Sequence, residues 1–145
     1  MLIDRQLRFS SEQAITATAA STDLIDLGTA NRDMGVGTPH LWLVSVVTTA
    51  LTDAASNSTI TVSLETDTAA AFGSATTAQT CGTFAALAAV GTTIIVPVQP
   101  FATDERFVRV MYTTANGDLT TGSFTTFLTT DPHNWVARPD GSTIS

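Results

Sequence analysis

The amino-acid sequence predicts an all-β protein: a jelly-roll-like antiparallel β-sandwich in a single domain, with an N-terminal arm and a short C-terminal tail. Threonine and valine dominate the uncharged positions, while lysine, glutamate and glutamine, which favour helices, are absent or scarce. Apolar stretches are short, and Gly, Asn and Asp separate them at close intervals. A chain of 145 residues most simply forms one domain. We therefore expect one sandwich over residues 1–145, with 1–9 as the arm and 131–145 as the tail.

Short segments rich in β-branched residues, with turn residues between most of them, are interpreted as strands. They are Ala14–Ala19, Leu24–Leu27, Leu41–Leu51, Thr59–Thr66, Thr92–Val98, Phe107–Thr114 and Gly122–Thr129. In the low-charge stretch 69–91 we expect irregular structure with one strand near Thr76–Phe84. Its run FAALAAV also fits a short helix or an edge strand. This spacing of strands is typical of a sandwich or jelly roll.

Three segments carry more detailed signals. LWLVSVV, residues 41–47, is apolar on both alternating faces, which predicts a central strand covered on both sides. In TITVSLETD, residues 59–67, every second residue is apolar (Ile60, Val62, Leu64), which predicts a strand with one wet face. Asn116-Gly117 is a strong hairpin signal because both residues tolerate positive φ. We expect the strands on either side of it to pair with each other.

The segment FSSEQAITATAASTDLIDLG, residues 9–28, is long and nearly uncharged. Ser10 and Gln13 have the spacing of a capping box, but Thr and Ser then occupy positions that a core-facing helix would need apolar. We interpret 10–13 as a single turn and the rest as a strand that bends at 21–23. We expect this segment to build an edge strand that joins the sandwich to a neighbouring molecule.

The charge balance excludes several classes of partner. The net charge is −7, from 13 acidic and six basic residues, and all six basic residues are arginine. Nucleic-acid binding needs many cationic contacts to phosphate, and an anionic membrane surface would repel this chain. The start MLIDRQLR lacks the pattern of a signal peptide, and no apolar run approaches the ~20 residues that span a bilayer. Protein or carbohydrate partners remain.

The sequence does not indicate an enzyme, a metal or a cofactor. His40 and His133 lie far apart, and no His-x-His pair with a nearby Glu suggests a metal site. The single cysteine, Cys81, cannot form an internal disulfide and is expected to be a buried thiol. No G-x-S-x-G elbow is present, and Gly35-Val36-Gly37 is too short a glycine motif to bind phosphate.

Candidate contact residues lie at the two ends of the chain. Arg5 and Arg8 flank Leu7, and Phe9 follows, while the tail contains Trp135 and Arg138. Arginine and tryptophan are enriched in interface hot spots. For Trp135 an equally strong alternative is that it folds back and closes one end of the sandwich.

The opening MLIDRQLRFSSEQAITATAASTDLIDLG resembles the start of the jelly-roll capsid cement proteins of tailed bacteriophages. The likeness lies in an I-D pair near the terminus, then L-x-F-S, a turn with an acidic residue or Gln, A-I-T-A-T-A-A-S-T and I-D-L-G. The resemblance implies a homodimeric jelly roll on the outside of a phage head, assembled in the host cytoplasm. It implies a role in bridging major capsid subunits of the HK97-like fold, without catalytic residues. Ile15 and Thr16 are among the matching positions and are expected fold or contact residues.

The main alternative is a carbohydrate- or receptor-binding β-sandwich that serves as an accessory of the virion. Such a protein would need exposed aromatic side chains over a groove, and the sequence offers two Trp residues and the single Tyr112. An enzyme built on a jelly roll is a third possibility, against which the missing His cluster argues.

Overall fold

The computed structural model describes residues 3–28, 41–98 and 105–132. In these residues a single 3₁₀ turn, Arg5–Leu7, precedes nine β-strands, and there is no α-helix. The strands are β1 Arg8–Ala14, β2 Ala19–Ala20, β3 Ile25–Asp26, β4 Trp42–Thr52, β5 Thr59–Asp67, β6 Thr76–Phe84, β7 Thr93–Pro97, β8 Phe107–Ala115 and β9 Thr121–Thr129. The all-β prediction is confirmed.

The strands form two antiparallel sheets that pack face to face. The first sheet has the order β1-β9-β4-β7, and in the second β2 and β3 lie one after the other along β8, followed by β5 and β6. Only β5 and β6 form a hairpin of consecutive strands; the other connections between β3 and β9 pass from one sheet to the other. With β2 and β3 counted as one interrupted strand, this is the eight-stranded order of a jelly roll.

The core lies between the sheets and is built by alternation along each strand. In β5, Ile60, Val62 and Leu64 are fully buried while Thr59 and Thr61 are partly exposed, as the sequence predicted. Their partners across the core include aromatic rings of β6, β8 and β9. The ring centroids of Phe84 and Phe124 lie 5.2 Å apart, as do those of Tyr112 and Phe124.

The central strand β4 is covered on both faces, which confirms the prediction from LWLVSVV. Its inward side chains, such as Leu43 and Val47, belong to the main core. Val44 and Val46 face the other way and form a second buried cluster with Phe127 of β9. Ile3, which precedes the 3₁₀ turn, packs against this cluster. The first residues of the described chain therefore belong to the fold.

A buried hydroxyl network connects the two sheets through the core. Tyr112 extends from β8 of the second sheet, and its hydroxyl lies 2.8 Å from the Ser10 hydroxyl of β1 and 2.7 Å from that of Thr126 of β9. Thr126 in turn lies 2.8 Å from Ser45 of β4. All four side chains are buried. Burial raises the pKa of Tyr112 to about 12, so the phenol stays neutral and can donate.

The first strand lies earlier in the chain than the sequence predicted. We expected a turn at 10–13 and a strand over Ala14–Ala19, but β1 is Arg8–Ala14 and 15–18 is irregular. The Ser10 hydroxyl does donate to the Gln13 side chain at 2.9 Å, but this bond lies inside a bulged strand with Glu12 at a φ of 49°. The bulge lets Ser10 reach Tyr112, which the apolar pattern alone could not indicate.

The hairpin predicted at Asn116-Gly117 is wrong. Both residues have positive φ, 65° and 116°, as the dipeptide suggested. However, the turn carries the chain from β8 in the second sheet to β9 in the first, so the two strands face each other across the core. Leu119, in the connection, is buried in that core and separates the strands. The other uncertain segment contains a strand at Thr76–Phe84, as expected, and FAALAAV continues beyond it as a loop.

Each exposed sheet edge is interrupted. β1 and β6 each have two register shifts against their neighbours, and β2 and β3 are only two residues long. β7 ends at Pro97, which has no N–H, and the Pro97 carbonyl accepts a hydrogen bond from the Gln79 side chain at 3.0 Å. Such edges are poor templates for the addition of another strand. Residues 9–28 do form edges, as predicted, but edges suited to side-chain contacts.

We call the side formed by β1, β2 and β3 the N-terminal flank. Two hydrogen bonds hold its two edges together: Asp23 N–H donates to the Phe9 carbonyl at 2.9 Å, and Gln13 Nε2 donates to the Ala20 carbonyl at 2.8 Å. The segment 9–28 thus builds one complete side of the sandwich.

We predict that Gly122→Ala destabilises the fold by about 1–3 kcal/mol, because a well-packed core resists added volume. A Cβ at Gly122 would lie 2.7 Å from Leu51 Cδ2 and 3.1 Å from Leu119 Cδ1, both in the core. Urea denaturation measures the change. Gly73→Ala is the matched control, because a Cβ there has no neighbour within 4 Å. Equal effects of the two substitutions would contradict the packing described.

We also predict that Tyr112→Phe costs about 1 kcal/mol, the usual net value of one buried hydrogen-bonding group. The loss is moderate because Ser10 and Thr126 keep their bonds to Gln13 and Ser45. Denaturation of Tyr112→Phe, Thr126→Val and the double variant measures the coupling between the two side chains. If their effects are simply additive, the hydroxyls do not act as one network.

Candidate functional site

An apolar groove of about 550 Å³ opens at the end of the N-terminal flank. Its walls come from the 3₁₀ turn, from β3 and the residues around it, and from the ends of the chain next to β4 and β9. The lining residues are Gln6, Leu7, Leu24, Ile25, Asp26, Leu27, Leu41 and Leu128. Most of these are leucine or isoleucine, so the groove suits an apolar side chain of a partner.

A smaller cavity of about 180 Å³ adjoins the groove. The two share Leu7 and Leu128 in their walls, and the smaller one continues past Ile3 and Asp4 towards Thr130. Leu7 therefore divides one extended depression. Side chains from the 3₁₀ turn and the last strand position this depression on the sandwich, which makes it a surface for contact with an extended segment.

The rim of the groove contains a paired charge. Arg106 donates from Nε and Nη2 to the two carboxylate oxygens of Asp26, both at 2.6 Å, and its guanidinium lies 4.9 Å from the centroid of the Phe107 ring. The hydrogen bonds from Arg106, with one from the Gly28 N–H, lower the pKa of Asp26 to about 2. The pair is exposed and fixes β3 beside β8 rather than leaving a free charge in the groove.

The predicted contact residues occupy different environments. Arg5 and Thr16 are exposed, and Leu7 is partly buried between the two cavities. Phe9 and Ile15 are fully buried in the core, which leaves them no surface to offer a partner. Trp135 and Arg138 lie outside the described residues, as do His40 and His133.

Arg8 is half-buried in β1, where its backbone pairs with Phe127. Its Nε is buried, and no described residue accepts a hydrogen bond from it. With Arg5 exposed and Arg8 in the sheet, the predicted arm is divided: its end belongs to the sandwich, and its start covers the outer face of the first sheet.

The described residues contain no site for acid–base or metal chemistry. No group of three or more His, Cys, Asp or Glu side chains in these ranges could hold a metal ion. Cys81 is buried, and burial raises the pKa of its thiol to about 11, so the reactive thiolate is suppressed. The described part of the chain also has no helix long and apolar enough to cross a membrane.

Sequence reasoning missed the most exposed part of the groove. Leu24 is 40% exposed and lies next to the half-buried Ile25. Two consecutive apolar residues in an alternating segment cannot both face the core, and this signal could have identified one of them as a surface residue. The Asp26–Arg106 pair has no comparable signal, because 80 positions separate the two residues.

Fold and surface together define a single-domain jelly-roll protein that offers apolar contact surfaces and, in the residues described, no catalytic cluster. The Bbp16 family model matches residues 9–128, from β1 into β9, which is most of the chain. The chain belongs to the Bbp16 family. A comparison with curated proteins finds none that matches it.

We predict that the stabilising effect of Asp26 disappears in acid. Its folded pKa, about 2, lies below its ordinary value of 3.8, so its contribution to stability is present above pH 3.8 and is lost as the pH falls towards 2. The difference in melting temperature between the wild type and Asp26→Asn should therefore be small but positive near neutral pH, because exposed pairs contribute little, and should narrow in acid. A difference that stays constant down to pH 2 would contradict the pairing.

Proposed function

We propose that this protein is a structural virion protein that binds the outside of a phage head and cements neighbouring major capsid subunits against the pressure of packaged DNA. The observation that supports this most is that residues 9–28, which carry the resemblance to cement proteins, build the N-terminal flank and line its groove. The same residues begin the match to the Bbp16 family. The partner proposed is a major capsid protein of the HK97-like fold.

The surface of the N-terminal flank suits a protein partner. Leu24 and Leu7 offer apolar area in the groove, and Arg5 lies exposed in the 3₁₀ turn beside it. The charged pair on the rim is already satisfied, so a partner can cover it without separating an unpaired charge from water. Each copy needs only a modest interface, since subunits held at several points in a shell dissociate only when all contacts break.

The charge supports a position on the exterior. With a net charge of −7 and no lysine, the chain is unsuited to the DNA-facing side of a shell, where it would meet phosphate repulsion. An uncharged groove on such a protein directs association to one region of its surface. The proposed location is therefore the outer face of the capsid, after assembly in the host cytoplasm.

The carbohydrate-binding alternative receives no support from the groove. Sugar sites typically stack an aromatic ring against the ligand, and the described residues that line the groove are aliphatic or polar. Tyr112 is buried in the core and unavailable for such a contact. We therefore retain the capsid proposal alone.

Co-sedimentation with heads of the source phage from which this protein has been removed tests the proposal. We expect saturable binding, and heads that then resist heat and osmotic shock better. Leu24→Asp should weaken binding by about tenfold or more, as for a hot-spot residue. A folded protein that does not bind such heads would overturn the proposal.

Ala54→Asp is the matched control for the added charge. Ala54 is exposed in the turn between β4 and β5, outside the groove. It should bind heads as the wild type does. If both variants bind with wild-type affinity while the wild type still decorates heads, the attachment surface lies elsewhere on the molecule.

A further inference from the structure

One side of the sandwich is built from a segment without charge. Residues 68–103 contain no Asp, Glu, Arg, Lys or His, so all 13 acidic and six basic residues lie in the rest of the chain. The segment contains β6, an edge of the second sheet, and β7, an edge of the first. Gln79 of β6 donates to the carbonyl of Pro97 in β7, which ties the two edges together. We call this side, residues 76–97, the uncharged flank.

The uncharged flank exposes large apolar side chains. Leu87 is 51% exposed, Val90 64% and Ile95 39%, and the remaining large hydrophobic residue exposed in the described ranges is Leu24 of the groove. Two regions of the described surface therefore present such side chains to water, and they lie on opposite sides of the sandwich. Concentrated exposure of this kind marks contact surfaces on soluble proteins.

Leu87 is held in an unfavourable backbone conformation. Its φ is 59°, in the left-handed region that costs an L-residue with a Cβ roughly 1–2 kcal/mol. Leucine at this position has neither the freedom of glycine nor the local hydrogen bonding of asparagine, and its side chain is not buried in compensation. Strain at an exposed apolar residue is the kind of feature that function maintains.

We infer that the uncharged flank is the surface through which two copies of this chain form a homodimer. Two chains with a charge of −7 repel each other, and this flank is the side on which they can approach without bringing carboxylates together or removing them from water. A two-fold contact places the same patch on both copies, so Leu87 and Val90 meet an equally apolar surface.

The interrupted edges determine the kind of contact. β6 is bulged and β7 is short, so the two copies pack through side chains and do not extend a sheet across the interface. The inference deepens the proposed function, because it leaves the N-terminal flank of both copies free for the capsid. It concerns the free protein, so its failure would not be a failure of head binding.

Sedimentation equilibrium of the purified full chain over a wide range of concentration tests the inference. We expect a wild-type dimer, and Val90→Asp to raise its dissociation constant by about tenfold or more. Leu24→Asp, the same kind of substitution on the opposite flank, should leave the dimer unchanged. A wild-type chain that stays monomeric, or a Val90→Asp chain as dimeric as the wild type, would overturn the inference.

Leu87→Asn separates the interface from the fold. Asparagine tolerates the left-handed conformation, so the variant monomer should resist urea at least as well as the wild-type monomer, while its dimer should dissociate about tenfold more readily. Weaker folding together with weaker association would show that Leu87 acts through the monomer. If the wild type is monomeric but Val90→Asp loses head binding, the flank instead faces the shell and the second-copy assignment fails.

Discussion

The hydroxyl of Tyr112 is the contact on which the relative position of the two sheets depends. Apolar burial holds the sheets together but has no direction, so it tolerates a small slide of one sheet over the other. A buried hydroxyl is different, because it loses stability unless its partners lie at the right distance. Tyr112 meets Ser10 and Thr126 at 2.8 and 2.7 Å, and this pair of distances fixes β8 over β1 and β9. The position of β1, and hence of the N-terminal flank, follows from it.

Side-chain alternation predicted which residues face the core but not which sheet each strand joins. Ile60, Val62 and Leu64 face inward as the pattern required, and FAALAAV is a loop after the strand at Thr76–Phe84. The two errors, at β1 and at Asn116-Gly117, concern pairing over long distances in sequence. A turn dipeptide specifies local φ values, while the choice between a hairpin and a crossing to the opposite sheet depends on Leu119 and on the core beneath it.

The candidate surfaces were only partly predictable for the same reason. The arm pointed to Leu7, which does line the groove, and to Phe9, which is a core residue because β1 begins at Arg8. Nothing local distinguishes an apolar residue of an edge strand from one of an arm. The groove needs Leu24 and Leu128, more than a hundred positions apart, and only the fold brings them together. The absence of charge from 68–103, in contrast, is visible in the sequence itself.

The bulged and shortened edges described for β1, β6 and β7 bear on how this chain behaves when many copies are crowded together. A sandwich has four open edges, and regular edges on a Thr- and Val-rich protein would invite stacking into fibrils. Here each edge presents a misaligned or truncated row of backbone groups. The chain can therefore accumulate to high concentration without polymerising through its backbone, and its associations can be altered one side chain at a time while the sheets stay as they are.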